Sequence, residues 1–380
     1  MTTAYAKINP NILSWARERA QLSLLQLAAK LQVDEVKLEA WESGEKPPTF
    51  KQAQNFAIKT HIPFGFLFLN RPPEELLPLP DLRTIGSQPR HRPSAELVEI
   101  IQIVIQRQQW FLEYLRDQGV AEPLHKRKFS VKTPIATIVK NMRKILRVAE
   151  HPYRGSWEDY FKLLVQRIED CGILVMRQGN LGHHTRPLSI SEFRGFAVYD
   201  PIAPVIFINQ ADAPAARLFT LIHELAHIWI GVSGISDADV STHREEEKQC
   251  NAIAAEFLVP ENEFLQHWRE LEDWQRNLPD LEAHFHVSRW VLARRAQSLG
   301  KITSQQYLQY INDMKEEFRN RERSSGGPNY YLVQKGQISE RFSRALVSET
   351  LSGRVLLREA AQLLGMKPNN IAKFAKELNG

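Results

Sequence analysis

Within TLIHELAHIWIG, residues 220–231, two histidines and a glutamate interrupt an otherwise apolar run. His223 and His227 are four residues apart, so on a helix both imidazoles project from one face about a turn apart, with Glu224 beside the first. This H-E-x-x-H pattern suits zinc: two imidazole nitrogens reach one tetrahedral ion and leave the glutamate free to meet a water. The ion would acidify that water and polarise a carbonyl, while Glu224 acts as general base and returns the proton to a leaving amine. The competing explanation is a pair of core histidines satisfied by backbone carbonyls.

A catalytic zinc needs a third protein ligand, supplied by a separate element. Residues 244–260, REEEKQCNAIAAEFLVP, read as a second helix stopped at Pro260, with Glu247 as the candidate ligand. Asn251 follows one turn later and is positioned to orient a ligand from behind. Glu245 and Glu246 point elsewhere, although a frayed first turn lets Glu246 substitute. Cys250 reads as a small buried hydrophobe, and His243 as an outside candidate for a fourth contact. Tyr199, His243 and Arg244 are the candidates for stabilising an oxyanion. Zinc is expected at one ion per chain, and the same donors accept Mn2+ or Fe2+.

The elements that must position these groups follow from periodicity. Residues 172–209 contain GILVM, GFAVYD and PVIFIN, three short β-branched runs separated by turn residues, which read as strands just ahead of the motif helix. Before them, AELVEIIQIVIQRQQWFLEYLRDQG has the apolar spacing of a long amphipathic helix, and a further helix starts at Ser156 or Trp157 and runs to Cys171. Two segments read as linkers: proline-rich 71–93 and RERSSGGP at 321–328.

Residues 9–62 read as a succession of short helices. Ser23 and Gln26 form a capping box before LLQLAAKL, Asp34 caps VKLEAWES, and Gly44 ends that helix. With LAAKL, QV and AWESGEKPP, the segment resembles the XRE (Cro/cI-type) helix-turn-helix family, which implies DNA binding. The second helix is acidic where a DNA reader meets bases and phosphates: Asp34, Glu35 and Glu39 stand there, and only Lys37 offers a positive charge. Two readings therefore stand together, DNA contact through Lys37 and a bundle for dimerisation or docking around Trp41.

FINQ, RLFTLIHELAH and ExxxNAIAAEFLVP resemble the ImmA/IrrE family of metallopeptidases, over roughly residues 160–300. The matching positions are Asn209, Arg217, Phe219, Thr220, His223, Glu224, His227, Glu247, Asn251 and Pro260. Ala226 and Ile253 depart from the family's commoner glycine and phenylalanine without touching the chemistry. The resemblance implies a gluzincin-like zinc site with His223, His227 and Glu247 as ligands and Glu224 as base. It also implies a protein substrate, a helix-turn-helix repressor cut in a stress, prophage or toxin-antitoxin-like response. An XRE-like module ahead of a peptidase, with a DLRT-like segment between them (here 81–84), is similar to a known arrangement in that family. The alternative function is a DNA-binding regulator or antitoxin-like protein whose metal site senses or scaffolds without proteolysis; an intact Glu224 speaks against it.

Composition sets the frame. A chain of 380 residues exceeds one ordinary core, and no apolar run reaches the ~20 residues that cross a bilayer. The N-terminus has no secretory pattern and two cysteines make no disulfide framework, so the expected address is the cytoplasm, with no membrane partner. A net charge of +5 permits nucleic-acid contact without arguing for it. Ser288 caps an arginine-rich helix whose Arg289, Arg294 and Arg295 are candidate contacts to DNA or a partner, against the commoner solvated face. The tail from 352 reads as helix, turn and helix with a basic surface, either binding nucleic acid or capping the peptidase.

The expected fold is mainly α with a small β-sheet, an α+β zincin-like core between an all-α N-terminal domain and a helical C-terminal region. The expected segments are an XRE-like domain at 1–70, a linker and long helix at 71–125, and the peptidase at 126–275. A helix-turn-helix-like extension at 276–322 and a basic helical region at 323–380 follow. Oligomeric state stays open, with a dimer among the options.

Overall fold

The structure, a computed structural model, describes residues 5–74, 77–80, 84–85, 88–89, 93–120, 129–182, 186–236, 244–322 and 336–379. His243, most of the DLRT-like segment and residues 323–328 of the second linker candidate lie outside them. Sixteen α-helices and a small mixed sheet are found among the described residues, the α+β class expected. None of those helices is long and apolar enough to cross a membrane.

The chain divides into two compact units, residues 1–78 with 92–99, and residues 79–91 with 100–380. The first contains α1 (Pro10–Arg19), α2 (Leu24–Leu31), α3 (Glu35–Glu42), α4 (Phe50–Lys59) and a 3-10 turn at Phe64–Phe68. Its core is Ile12, Leu13, Trp15, Leu27, Leu38, Trp41, Phe56 and Leu67. Helix α2 opens on the capping box of Ser23 and Gln26, and α4 opens on a second one made by Thr49 and Gln52. Asp34 stands at the N-cap of α3 but its side chain makes no capping bond. Between α2 and α3, Gln32 turns the chain in the left-handed region, and Arg17 clamps Glu42 with two bonds of 2.8 and 2.9 Å.

In the second unit, β1 (Thr84–Ile85) and β2 (Gln88–Pro89) form a minimal antiparallel ladder. Helices α5 (Ala95–Asp117, of this unit from Ile100 on), α6 (Ile135–Leu146) and α7 (Trp157–Asp170) follow, and Ser156 caps α7 through a box with Asp159. The sheet is then built from β3 (Leu174–Gln178), β4 (Gly195–Val198), β5 (Val205–Asn209) and β6 (Gly234–Ser236), in the order β3-β5-β4-β6. β3 runs parallel to β5, and the other pairs are antiparallel. Strand β6 was not foreseen, since three residues are too few to display an alternating pattern.

Helix α8 (Pro214–Ile230) packs on β4 and β5 and against α9 (Glu245–Leu258), so it is buried on every side from Leu218 to its end. That explains its nearly continuous apolar sequence. Pro214 starts α8, and Gly231, at φ 75°, ends it in a left-handed turn that a Cβ would strain. The loop leading in is held by Arg217, whose guanidinium donates to the carbonyls of Gln210 and Asp212. Asn209 closes β5 by donating to Phe193 O.

Helices α10 (Glu261–His267), α11 (Leu278–Phe285), α12 (Arg289–Ser298) and α13 (Ser304–Glu322) continue the core, and α14 (Glu340–Leu351), α15 (Leu357–Leu364) and α16 (Ile371–Asn379) end the chain. Buried Arg107 of α5 donates to Leu363 O at 2.8 Å, tying α15 to this unit.

Candidate metal centre

His223, Glu224 and His227 are completely buried on α8, and Glu247 is buried on α9. Glu247 Oε2 lies 3.1 Å from His223 Nε2 and its Oε1 lies 3.0 Å from His227 Nε2. The two Nε2 atoms are 3.2 Å apart. Tetrahedral zinc with ordinary bond lengths separates its ligand atoms by about 3.3 Å. The donor atoms, with each histidine facing a different Glu247 oxygen, therefore stand at close to the spacing of ligands around one ion, and these residues form a group able to hold a metal ion.

The electrostatics demand a cation here. Two carboxylates are buried side by side, and an uncompensated buried charge costs several kcal/mol. Neither oxygen of Glu224 has a hydrogen-bond partner. Burial raises its carboxyl well above the ordinary carboxylate range, the Glu247 charge adds to this, and the Ser236 hydroxyl opposes it. Burial also works to raise Glu247, but His223 and His227 outweigh it and hold that carboxyl far below its usual range. Burial lowers His223 against the pull of Glu247, favouring the neutral imidazole that metal binding requires. The residues present thus fit a divalent metal by donor chemistry, spacing and unmet charge.

Two supporting residues, Ser236 and Gly195, escaped the sequence reading, and a third, Arg294, was read there as a surface contact. Ser236 on β6 donates to Glu247 Oε1 at 3.2 Å and stands 3.3 Å from His227 Nε2. Gly195 on β4 leaves room for Glu224: a Cβ there would lie 2.8 Å from Glu224 Oε1 and 2.9 Å from the Phe207 carbonyl. Arg294 of α12 donates to Asn251 Oδ1 at 2.8 Å and covers the Phe219 ring at 4.0 Å.

The arginine-rich helix needs a correction. Arg294 and Arg295 were candidates for contact with DNA or a partner, yet both are buried, and Arg295 is paired with Glu256. Because α12 is packed between other elements, its charges are spent inside the fold. Arg289 is half exposed and bonded to Glu282, and Lys37, on α3 of the first unit, is half-buried. Cys250 is buried in the apolar core, where burial and nearby carboxylates keep its thiol protonated. Glu245 is exposed and Glu246 half-buried. Tyr199 is partly exposed, its ring set against Gly231. A cavity of about 520 Å³ beside α9, lined by Phe219, Asn251, Glu256 and Arg294 among others, does not include the metal-binding atoms.

Among curated proteins and solved structures nothing matches the chain. Residues 338–377, which contain α14, α15 and most of α16, match a family model described only as a domain of unknown function. Residues 178–297 match a peptidase family model described as an IrrE N-terminal-like domain. From the end of β3 into α12, and with His223, Glu224, His227 and Glu247 all inside that segment, the chain is similar to a metallopeptidase domain.

Proposed function

We propose that the protein is a zinc-dependent endopeptidase that cleaves a regulatory protein, a helix-turn-helix repressor. The observation that carries this reading is the convergence of His223, His227 and Glu247 within 3.0 to 3.2 Å, beside a buried Glu224 with no hydrogen-bond partner of its own. Bound by those ligands, zinc would supply Lewis-acid activation of a peptide carbonyl and of a water.

The remaining chemistry belongs to the chain. Glu224 takes the proton of the attacking water at its carboxylate and delivers it to the leaving amine nitrogen. Ser236 holds Glu247 in orientation. In this reading the first unit recruits the substrate through its own α2–α3 pair, the acidic first turn of α3 favouring a protein partner over phosphates.

Purified wild type and Glu224→Gln, each analysed for metal and incubated with the helix-turn-helix protein encoded beside its gene, test the proposal by mass spectrometry of that protein. Both are expected to hold metal at the buried site and only wild type to cut. Cleavage by Glu224→Gln at the wild-type rate would sink it.

A further inference from the structure

A second constellation lies in the same unit, on elements that the buried site does not use. His151, in the loop between α6 and α7, Glu263 on α10 and His284 on α11 converge on one point. The Nε2 atoms of both histidines lie 3.3 Å from the same oxygen, Glu263 Oε2, and the three donor atoms fall within 4.8 Å of one another. From these contacts we infer that His151, Glu263 and His284 form a second metal site, for a divalent transition ion such as Zn2+.

Geometry and surroundings support it. The nitrogen-to-oxygen separations equal the edge of about 3.3 Å expected for ligands around tetrahedral zinc. The side chains are 16%, 28% and 31% exposed, enough for an ion and a water to enter from solvent. His151 Nδ1 lies 3.3 Å from Pro152 O, and since a carbonyl only accepts, this nitrogen carries the proton. With that tautomer the Nε2 lone pair and Glu263 Oε2 face each other, and one cation can take both as ligands. A ligand histidine held from behind by a backbone carbonyl is the usual arrangement.

The neighbours hold this geometry in place. The Phe285 ring stands edge-on to both histidines, with centroids 5.8 Å and 4.6 Å away. His286 Nδ1 lies 2.7 Å from Gly155 O and so fastens the loop of His151 to the end of α11. His267, one turn after Glu263 on α10, lies 4.0 Å from His284 between ring centroids and packs against that imidazole, which leaves water to complete the coordination. The site would tie the α6–α7 loop to α10 and α11, separately from the His223, His227 and Glu247 set.

The test is a calorimetric titration of the metal-free full chain with Zn2+, checked by elemental analysis after gel filtration. Wild type is expected to take two ions, the second more weakly, and His284→Ala and Glu263→Gln one each. Glu247→Gln, which disables the buried site, is expected to retain one ion, lost again when combined with His284→Ala. The Glu263→Gln change preserves size and guards against a misfolded alanine variant. A single ion in wild type that is lost in Glu247→Gln, or an undiminished count in both His284→Ala and Glu263→Gln, would overturn the site. Neither result depends on peptidase activity.

Discussion

Arg294 on α12 donates to Asn251 on α9 at 2.8 Å, and so links a residue one turn after Glu247 to the ring of Phe219, one turn before His223. One buried guanidinium thus braces both metal-bearing helices. Lysine keeps the charge but loses the planar fork and the stacking. Arg294→Lys is expected to lower stability by about 2 kcal/mol, the scale of a charged hydrogen bond with a cation–π contact. It should also weaken zinc binding about tenfold, as changes behind metal ligands do. Urea unfolding and chelator competition measure the two, and unchanged affinity would show that the brace does not reach the ligands.

Gly195 is required by close approach. A Cβ at this position meets Glu224 Oε1 at 2.8 Å and the Phe207 carbonyl, which is fixed in the β4–β5 ladder, at 2.9 Å. Glu224 is the partner free to shift. Because the carbonyl cannot follow, Gly195→Ala should strain the β4–β5 ladder and lower stability as well as reduce cleavage about 100-fold, the effect of misplacing a catalytic group by ~1 Å. Equal loss of metal and activity would assign Gly195 to folding alone.

Ser236 holds the ligand carboxylate through a bond of 3.2 Å to Glu247 Oε1. Removing it in Ser236→Ala is expected to weaken zinc affinity by about 10- to 100-fold while the metal-loaded chain still cuts. Competition against a chromogenic chelator reads the affinity directly, and a wild-type value would mean that the hydroxyl is a bystander.

The buried base makes a pH prediction for the metal-free protein. The Glu224 carboxyl titrates near 4.3 in the unfolded chain and is raised well above that when folded. The folded state then binds more protons, so stability present at low pH is lost as pH rises from about 4.3 through the raised value. Glu224→Gln removes that loss. Its advantage over wild type should be small at pH 5 and exceed about 1 kcal/mol at pH 8, since raising a pKa by one is worth about 1.36 kcal/mol. Chemical denaturation with a chelator present tests this, and a constant difference across pH would refute it.

What the sequence determined by itself was the chemistry set by local spacing. The i,i+4 histidines, the glutamate beside them and a carboxylate one turn before Asn251 were legible because a helix imposes fixed angles between near neighbours. The caps at Ser23 and Ser288 and the strand at 205–209 were legible for the same reason. Only the tertiary structure decided what lies opposite. Arg294 and Arg295 read as surface charge because spacing does not reveal that α12 is enclosed. Gly195 and Ser236 looked ordinary, since their roles come from a neighbouring carboxylate on another element. His151, Glu263 and His284 carry no common motif and meet only because a loop and two helices pack together. Periodicity records the geometry of one element, whereas a site assembled across elements depends on long-range packing that no local pattern encodes.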